Sequence, residues 1–215
     1  MALTLYTYYR SSAAYRVRIA LNLKGVSAAH RAIHLVKDGG QQKSEAYTRI
    51  NPNRTVPALE LGDGAQPLVQ SLAIIEYLDE TIPEPRLLPG DAAMRARIRA
   101  AAQVIACDIH PVNNSRVGGY LKEKLGHSQD EVVAWMNHWM ESGLAAFQAL
   151  LPASGRYCFG DDITLADLCL VPQMYNLKRW GGSTKGLDRL LAIDEACLAL
   201  PAFDAARPEK QPDAE

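Results

Sequence analysis

Two adjacent hydroxyls, Ser11 and Ser12, stand where an apolar stretch at residues 3–9 gives way to an amphipathic segment. If the first is a strand and the second a helix, the hydroxyls lie at a helix N-terminus. Free backbone N–H groups and the positive end of the helix dipole stabilise an anion at such a point. Hydroxyl donors there suit a thiolate or a carboxylate better than a phosphate, whose usual cradle is a glycine-rich loop. The same serines also suit ordinary helix capping. A second polar concentration, Asp-Ile-His-Pro-Val-Asn-Asn-Ser-Arg at 108–116, interrupts an otherwise apolar helical region. Core packing has no use for His110, Asn113, Asn114 and Arg116 so close together, so the group reads as a cleft lining or a solvated face. A third, Thr164-Leu-Ala-Asp167, has the spacing of an N-capping box. It reads as a folding element, with Asp167 buried and perturbed yet outside any chemistry.

The elements that must position these residues follow from hydrophobic period. Residues 3–9 read as a strand, 12–24 as a helix ended by Gly25, and 29–35 as a second strand. After a loop at 37–40 and a short helix at 44–50 come a third strand at 55–61, interrupted by Pro57, and a fourth at 67–69. Gly62-Asp63-Gly64 joins that pair, and Gln70-Ser71 opens a helix running to about Thr81. This βαβ-then-ββα order predicts a thioredoxin-like sheet, and Val56-Pro57 stands where such a domain carries a cis proline. The proline-rich residues 82–89 read as a link. Beyond it the period is helical almost throughout, at 92–107, 111–124, 129–150, 164–179 and 187–200. The expected organisation is therefore an α/β thioredoxin-like domain at 1–82, a linker at 83–90 and an all-α domain at 91–215. The polar tail after Ala206 is expected to pack loosely.

Composition removes several function classes. Lys plus Arg number 23 against 24 acids, a net charge of −1 that offers no electrostatic case for nucleic acid or a membrane surface. No apolar run has the length of a membrane span and no signal-like leader opens the sequence, so a cytoplasmic protein is expected. The four cysteines lack CxxC or metal-like spacing and read as reduced core thiols. The histidines form no HxxxH or HExxH pattern, so no metal site is expected.

Several blocks, together and in order, resemble the zeta class of glutathione transferases, the maleylacetoacetate and maleylpyruvate isomerases. They are Arg-Ser-Ser-x-x-x-Arg-Val-Arg-Ile-Ala-Leu at 10–21, Leu-Val-Lys-Asp-Gly-Gly-Gln-Gln at 35–42 and Asn-Pro-x-x-x-Val-Pro-Ala-Leu at 51–59. Gln-Ser-Leu-Ala-Ile-Ile-Glu-Tyr-Leu at 70–78, Ala-Asp-Leu-Cys-Leu-Val-Pro-Gln at 166–173 and Gln-Pro-Asp at 211–213 complete the set. The resemblance spans essentially the whole chain. It implies a cytoplasmic homodimer that uses glutathione as coenzyme to turn a maleyl keto acid into its fumaryl isomer during aromatic catabolism.

By the same resemblance, Ser11 is the hydroxyl that hydrogen-bonds the glutathione sulfur, supported by Ser12. Val56 before Pro57 is the backbone partner of the cysteinyl part, and Gln70 with Ser71 grips the γ-glutamyl end. Gln42 lies near the glycyl carboxylate, while His110 and Asn114 close over the tripeptide from the helical domain. A dicarboxylate substrate needs cations, for which Arg10, Arg116 and Arg179 are the candidates, whereas Arg16 and Arg18 serve structure or the domain interface. The sequence departs from the family where Ala13 replaces its usual cysteine and Tyr15 its aromatic or histidine neighbour. It also departs where Ser-Thr-Lys-Gly-Leu-Asp at 183–188 replaces a proline-tyrosine-proline segment. Tyr6, Tyr8 and Tyr9 offer an alternative hydroxyl, ranked below Ser11. The alternative activity is a general transferase or dehalogenase of small α-halo acids. A binding module without catalysis is a third reading, disfavoured by the complete Ser11, Val56-Pro57 and Gln70-Ser71 set.

Overall fold

A computed structural model describes residues 3–62 and 64–215; Asp63, in the expected turn, lies outside the described residues. The chain divides into two compact units, Met1–Pro85 with Leu200–Glu215, and Arg86–Ala199.

In the first unit, β1 (Leu3–Thr7) leads through α1 (Ser12–Leu23) into β2 (Ala28–Ala32), which pairs parallel with it. Parallel strands need such a crossover. β3 (Ala58–Glu60) then pairs antiparallel with β1, and β4 (Leu68–Val69) antiparallel with β3, giving the order β2-β1-β3-β4. The expected βαβ-then-ββα order is present, completed by α2 (Glu45–Ile50) and α3 (Ser71–Thr81). The strands are shorter than their apolar pattern. β1 stops at Thr7 because Ser11 N–H donates to the Tyr8 carbonyl (2.9 Å) and closes a turn. β2 stops at Ala32 because, past it, His34 Nδ1 accepts from the N–H groups of Val36 (3.1 Å) and Lys37 (2.8 Å). Val56–Pro57 is cis, as expected of that position, and so is Glu84–Pro85.

Register decides what the sheet presents at one end. Tyr6 pairs with Ala58, and Ala58 with Val69. The end of β1, the start of β3 and the end of β4 therefore lie side by side. Ser11, Val56-Pro57 and Gln70-Ser71 follow or precede those strand ends, so residues far apart in sequence meet there. Beneath them Tyr6, Tyr8, Tyr9, Tyr47, Val56 and Ala58 form one buried cluster, flanked by Ile33, Leu35, Ile50 and Val69.

The segment Leu200–Glu215, placed by its sequence in the helical domain, groups with this sheet unit instead. Its α10 (Pro201–Ala205) packs on α1, with Phe203 and Ala206 fully buried. The tail is not loose: Asp213 Oδ2 accepts the Tyr9 N–H at 2.9 Å. Beyond the buried Phe203, Ala206 and Pro208, hydrogen bonds to backbone groups hold it, which is why its polar composition misleads.

The second unit is helical. α4 (Ala92–Gln103) runs into a π-helical turn, Val104–Ile109, then a single turn α5 (His110–Val112), and α6 (Ser115–Glu123). α7 (Gln129–Leu150), α8 (Leu165–Arg179) and α9 (Asp188–Leu198) complete it. Every residue from Leu165 to Met174 is buried, so α8 is the central rod. Its capping box forms as expected: Asp167 Oδ2 accepts from the Thr164 N–H (2.8 Å) and hydroxyl (2.9 Å), and Oδ1 from the Cys158 N–H (2.8 Å). Burial raises the Asp167 carboxyl above its ordinary value. Cys158, Cys169 and Cys197 are buried thiols, but Cys107 is exposed on the π turn, against the expectation of a core residue.

Candidate active site

The turn Tyr8–Ser11 delivers Ser11 as the N-cap of α1. Its Oγ accepts the Ala14 N–H at 3.2 Å, so the capping reading of this serine is correct. Capping uses an acceptor lone pair, and the hydroxyl proton is still there to donate to an anion. Capping therefore leaves the Ser11 hydroxyl proton free of that role. Ser12, the first residue of the helix, is buried beside it. No acid lies in the first turn of α1, so nothing in the helix itself offsets the positive end of its dipole.

The α3 N-terminus repeats the arrangement. Gln70, exposed and at φ 70°, makes no side-chain cap, and the first turn of α3 again contains no acid. The Ser71 hydroxyl is buried and accepts from Arg16 Nη1 at 3.2 Å. Arg16, 1% exposed and expected to serve structure, also brings a guanidinium to the helix end expected to hold a carboxylate. The signal was present: two arginines, Arg16 and Arg18, stand among apolar residues of a helix buried along most of its length. Gln42 lies in a 3-10 turn, half-buried, with its Nε2 donating to the Leu35 carbonyl at 3.2 Å.

Tyr6 of β1 and Tyr8 and Tyr9 just past it belong to the core. Tyr6 donates to Glu60 (3.3 Å), and the Tyr8 hydroxyl accepts from Arg10 Nη2 (2.9 Å). Burial raises the phenols of Tyr6 and Tyr9, which makes a phenolate there harder to form. Arg10 is half-buried, its guanidinium 4.9 Å from the centre of the Tyr9 ring.

In the second unit the polar block at 108–116 is where the helix changes pitch. Pro111 has no N–H, and the helix lapses at Asn113. The Asn114 side chain then accepts the Arg116 N–H (3.0 Å) and starts α6. His110 and Asn114 are half-buried and Arg116 is exposed. Arg179, exposed at the end of α8, lies 4.7 Å over the Trp180 ring. Among the described residues, no cluster of three or more His, Cys, Asp or Glu could hold a metal ion.

Comparison with known proteins places this geometry. The glutathione S-transferase N-terminal domain family matches residues 5–86. A probable maleylacetoacetate isomerase of Vibrio cholerae is 48% identical over 215 residues, covering 100% of this chain and 99% of that protein. Among solved structures, a holo maleylpyruvate isomerase, described as a bacterial zeta-class glutathione transferase, superposes with a TM-score of 0.93 at 45% identity. The match covers 99% of this chain and 100% of that one. A maleylacetoacetate isomerase of Anaeromyxobacter dehalogenans with glutathione bound in its active site has a TM-score of 0.88 at 42% identity. It covers 100% of this chain and 99% of the other.

Proposed function

Because this chain belongs to the glutathione transferase family, in its zeta class, we propose that Ser11 and the N-terminal ends of α1 and α3 hold glutathione for a cis–trans isomerisation. The substrate is a maleyl keto acid, maleylacetoacetate or maleylpyruvate, and the product its fumaryl isomer. The observation that carries this reading is the Ser11 hydroxyl, which caps α1 with a lone pair and keeps its proton for a sulfur anion.

Glutathione, when bound, supplies a thiolate that adds to the cis double bond, leaves a single bond free to rotate, and departs to give the trans product. The chain must keep that sulfur ionised at neutral pH. A free thiol has a pKa of about 8.5, and lowering it by about two units takes roughly 2.7 kcal/mol. A hydroxyl hydrogen bond to a charged acceptor contributes about 1.5–3 kcal/mol. A helix N-terminus adds about 0.3–1 kcal/mol, more when partly buried. Ser11 on α1 is thus sufficient without a phenolate.

The donor set suits the rest of the tripeptide. The α3 N-terminus, with Ser71 and the Arg16 behind it, is built for the γ-glutamyl carboxylate, and exposed Gln70 for its ammonium. Val56 faces the cysteinyl backbone, and Gln42 the glycyl end. Ser12 supports Ser11, while His110 and Asn114 contribute from the helical unit. Arg10, Arg116 and Arg179 take the substrate carboxylates, to which the planar guanidinium fork is matched. The protein is read as a cytoplasmic homodimer. No helix among the described residues is long and apolar enough to cross a membrane.

The decisive experiment follows the absorbance of each cis substrate with and without glutathione. Strictly glutathione-dependent loss is expected, and the faster substrate names the physiological one. If neither turns over while glutathione binds, the reading shifts to a transferase or dehalogenase of small α-halo acids.

A further inference from the structure

The Gln-Pro-Asp block at 211–213 has no part in the site described above, yet its aspartate reaches the turn that carries Ser11. Tyr8 and Tyr9 lie past the end of β1, so their peptide groups have no ladder partners. Side chains supply them instead. Asp213 Oδ2 accepts the Tyr9 N–H at 2.9 Å. Arg18, from α1, donates Nη2 to the Tyr9 carbonyl (2.9 Å) and Nη1 to the Tyr8 carbonyl (3.3 Å) and to Thr7 Oγ1 (3.1 Å). Its Nε reaches across to the Ala206 carbonyl at 3.1 Å. The peptide that precedes Arg10 and Ser11 is therefore gripped from two sides, by one residue of α1 and one of the segment Leu200–Glu215.

The segment itself is anchored well enough to serve as a support. Phe203 and Ala206 are buried, and Asn22 Nδ2 donates to the Ala202 carbonyl at 2.8 Å. Gln211, also buried, donates Nε2 to the carbonyls of Ala205 (3.0 Å) and Arg207 (2.8 Å). The Ala214 N–H closes back on the Gln211 carbonyl (3.0 Å), a turn that aims Asp213 at Tyr9. Beyond it, Glu215 pairs with Lys37 and lies 3.5 Å from His34 Nε2, tying the segment to the loop after β2 as well.

We propose that Asp213, with Arg18, is a positioning residue for the thiol site: it locks the Tyr8–Ser11 turn so that the Ser11 hydroxyl meets the glutathione sulfur at hydrogen-bonding geometry. This rests on Ser11 being the sulfur's donor. The hydrogen bond weakens steeply with misalignment, so a turn held by a single side chain delivers it less well. Asp213 touches neither coenzyme nor substrate in this account and acts through Tyr9.

The test compares Asp213→Leu, Asp213→Asn and Ser11→Ala with the unmutated protein. The readouts are the pKa of the bound glutathione thiol, from the ultraviolet absorbance of the thiolate, and the melting midpoint. Asp213→Leu removes the acceptor and should lower the dissociation constant of the bound thiol about three- to tenfold, a rise in its pKa of roughly 0.5–1 unit. Asp213→Asn keeps a side-chain carbonyl for the Tyr9 N–H and should restore most of it. An unchanged thiol pKa in Asp213→Leu, whatever its melting midpoint, overturns the proposal. A shift with Asp213→Leu but none with Ser11→Ala overturns the role of Ser11 and keeps the turn as what the segment controls. The reverse pattern keeps Ser11 and discards the segment. Hydrogen exchange at the Tyr9 amide of the unmutated, ligand-free protein gives a check independent of any variant. Slow exchange is expected, and exchange at the rate of an open loop overturns the proposal.

Discussion

The cap that Ser11 makes and the sulfur contact proposed for it do not compete, because one uses a lone pair and the other the proton. Replacing Ser11 by Ala should therefore cost a cap worth about 1 kcal/mol of stability. The same change should slow turnover about 100-fold, the range found for removal of a single oxyanion donor. Glutathione affinity, measured by titration calorimetry, should barely change, since the peptide ends are held elsewhere. Arg16, on the Ser71 hydroxyl, belongs to the end of the site proposed for the γ-glutamyl carboxylate. Arg16→Met should weaken glutathione binding by roughly tenfold, about 1.4 kcal/mol, while leaving the pKa of the bound thiol in place. A larger effect on the thiol than on affinity would mean that Arg16 serves Ser11 rather than Ser71. The two arginines of α1 look alike in sequence, but only their partners, the Ser71 hydroxyl for one and the Tyr8 and Tyr9 carbonyls for the other, tell them apart. Burial pulls the Arg18 guanidinium down to about 10, so it still carries its charge at neutral pH.

Among the elements, the π-helical turn Val104–Ile109 runs into the polar block at 108–116 and contains its first two residues. Its neighbour α7 approaches closely because Gly143 has no side chain: a Cβ there would lie 2.3 Å from Ile109 Cγ1. Gly143→Ala must push Ile109 or the turn itself aside. It is expected to lower stability by about 1–3 kcal/mol, read from urea unfolding, as overpacking does. Relief by Ile109→Ala in the same protein would place the strain at this contact. The apolar period along 92–107 was legible and the helix is there, but the pitch change was not. A hydrophobic pattern reports which face is buried, whereas a π turn is set by what packs against it. The capping box at Thr164–Asp167 is the contrary case. Its partners lie within a few residues of one another, so spacing alone was enough to foresee it and the burial of Asp167.

Across the molecule, one buried cation ties several parts of the first unit together. Lys24, its side chain wholly buried, closes α1 and donates to Asp79 of α3 (2.7 Å) and to the carbonyls of Ile82 (2.6 Å) and Pro85 (2.7 Å). Lys24→Met would leave the Asp79 carboxylate buried beside an apolar chain. The expected loss is about 3–5 kcal/mol of unfolding free energy, as when one partner of a buried ion pair is removed. Changing both, Lys24→Met with Asp79→Leu, should recover much of it. An equal loss in the single and double variants would show that the carbonyl contacts of Lys24, not the ion pair, carry the effect.

The order of strands and helices, the helix starts, the anion-friendly ends of α1 and α3 and the family itself were all written in local pattern, because each depends on residues near one another in the chain. What tertiary structure alone decided is which distant residues share a site. Register between β1, β3 and β4 brings Ser11, Val56-Pro57 and Gln70-Ser71 to one end of the sheet. The return of Leu200–Glu215 to that same unit, with Asp213 on the Tyr9 N–H, was invisible to composition. A polar segment with no apolar period reads as loose until the backbone groups it satisfies are known. Those groups belong to a turn at the other end of the sequence.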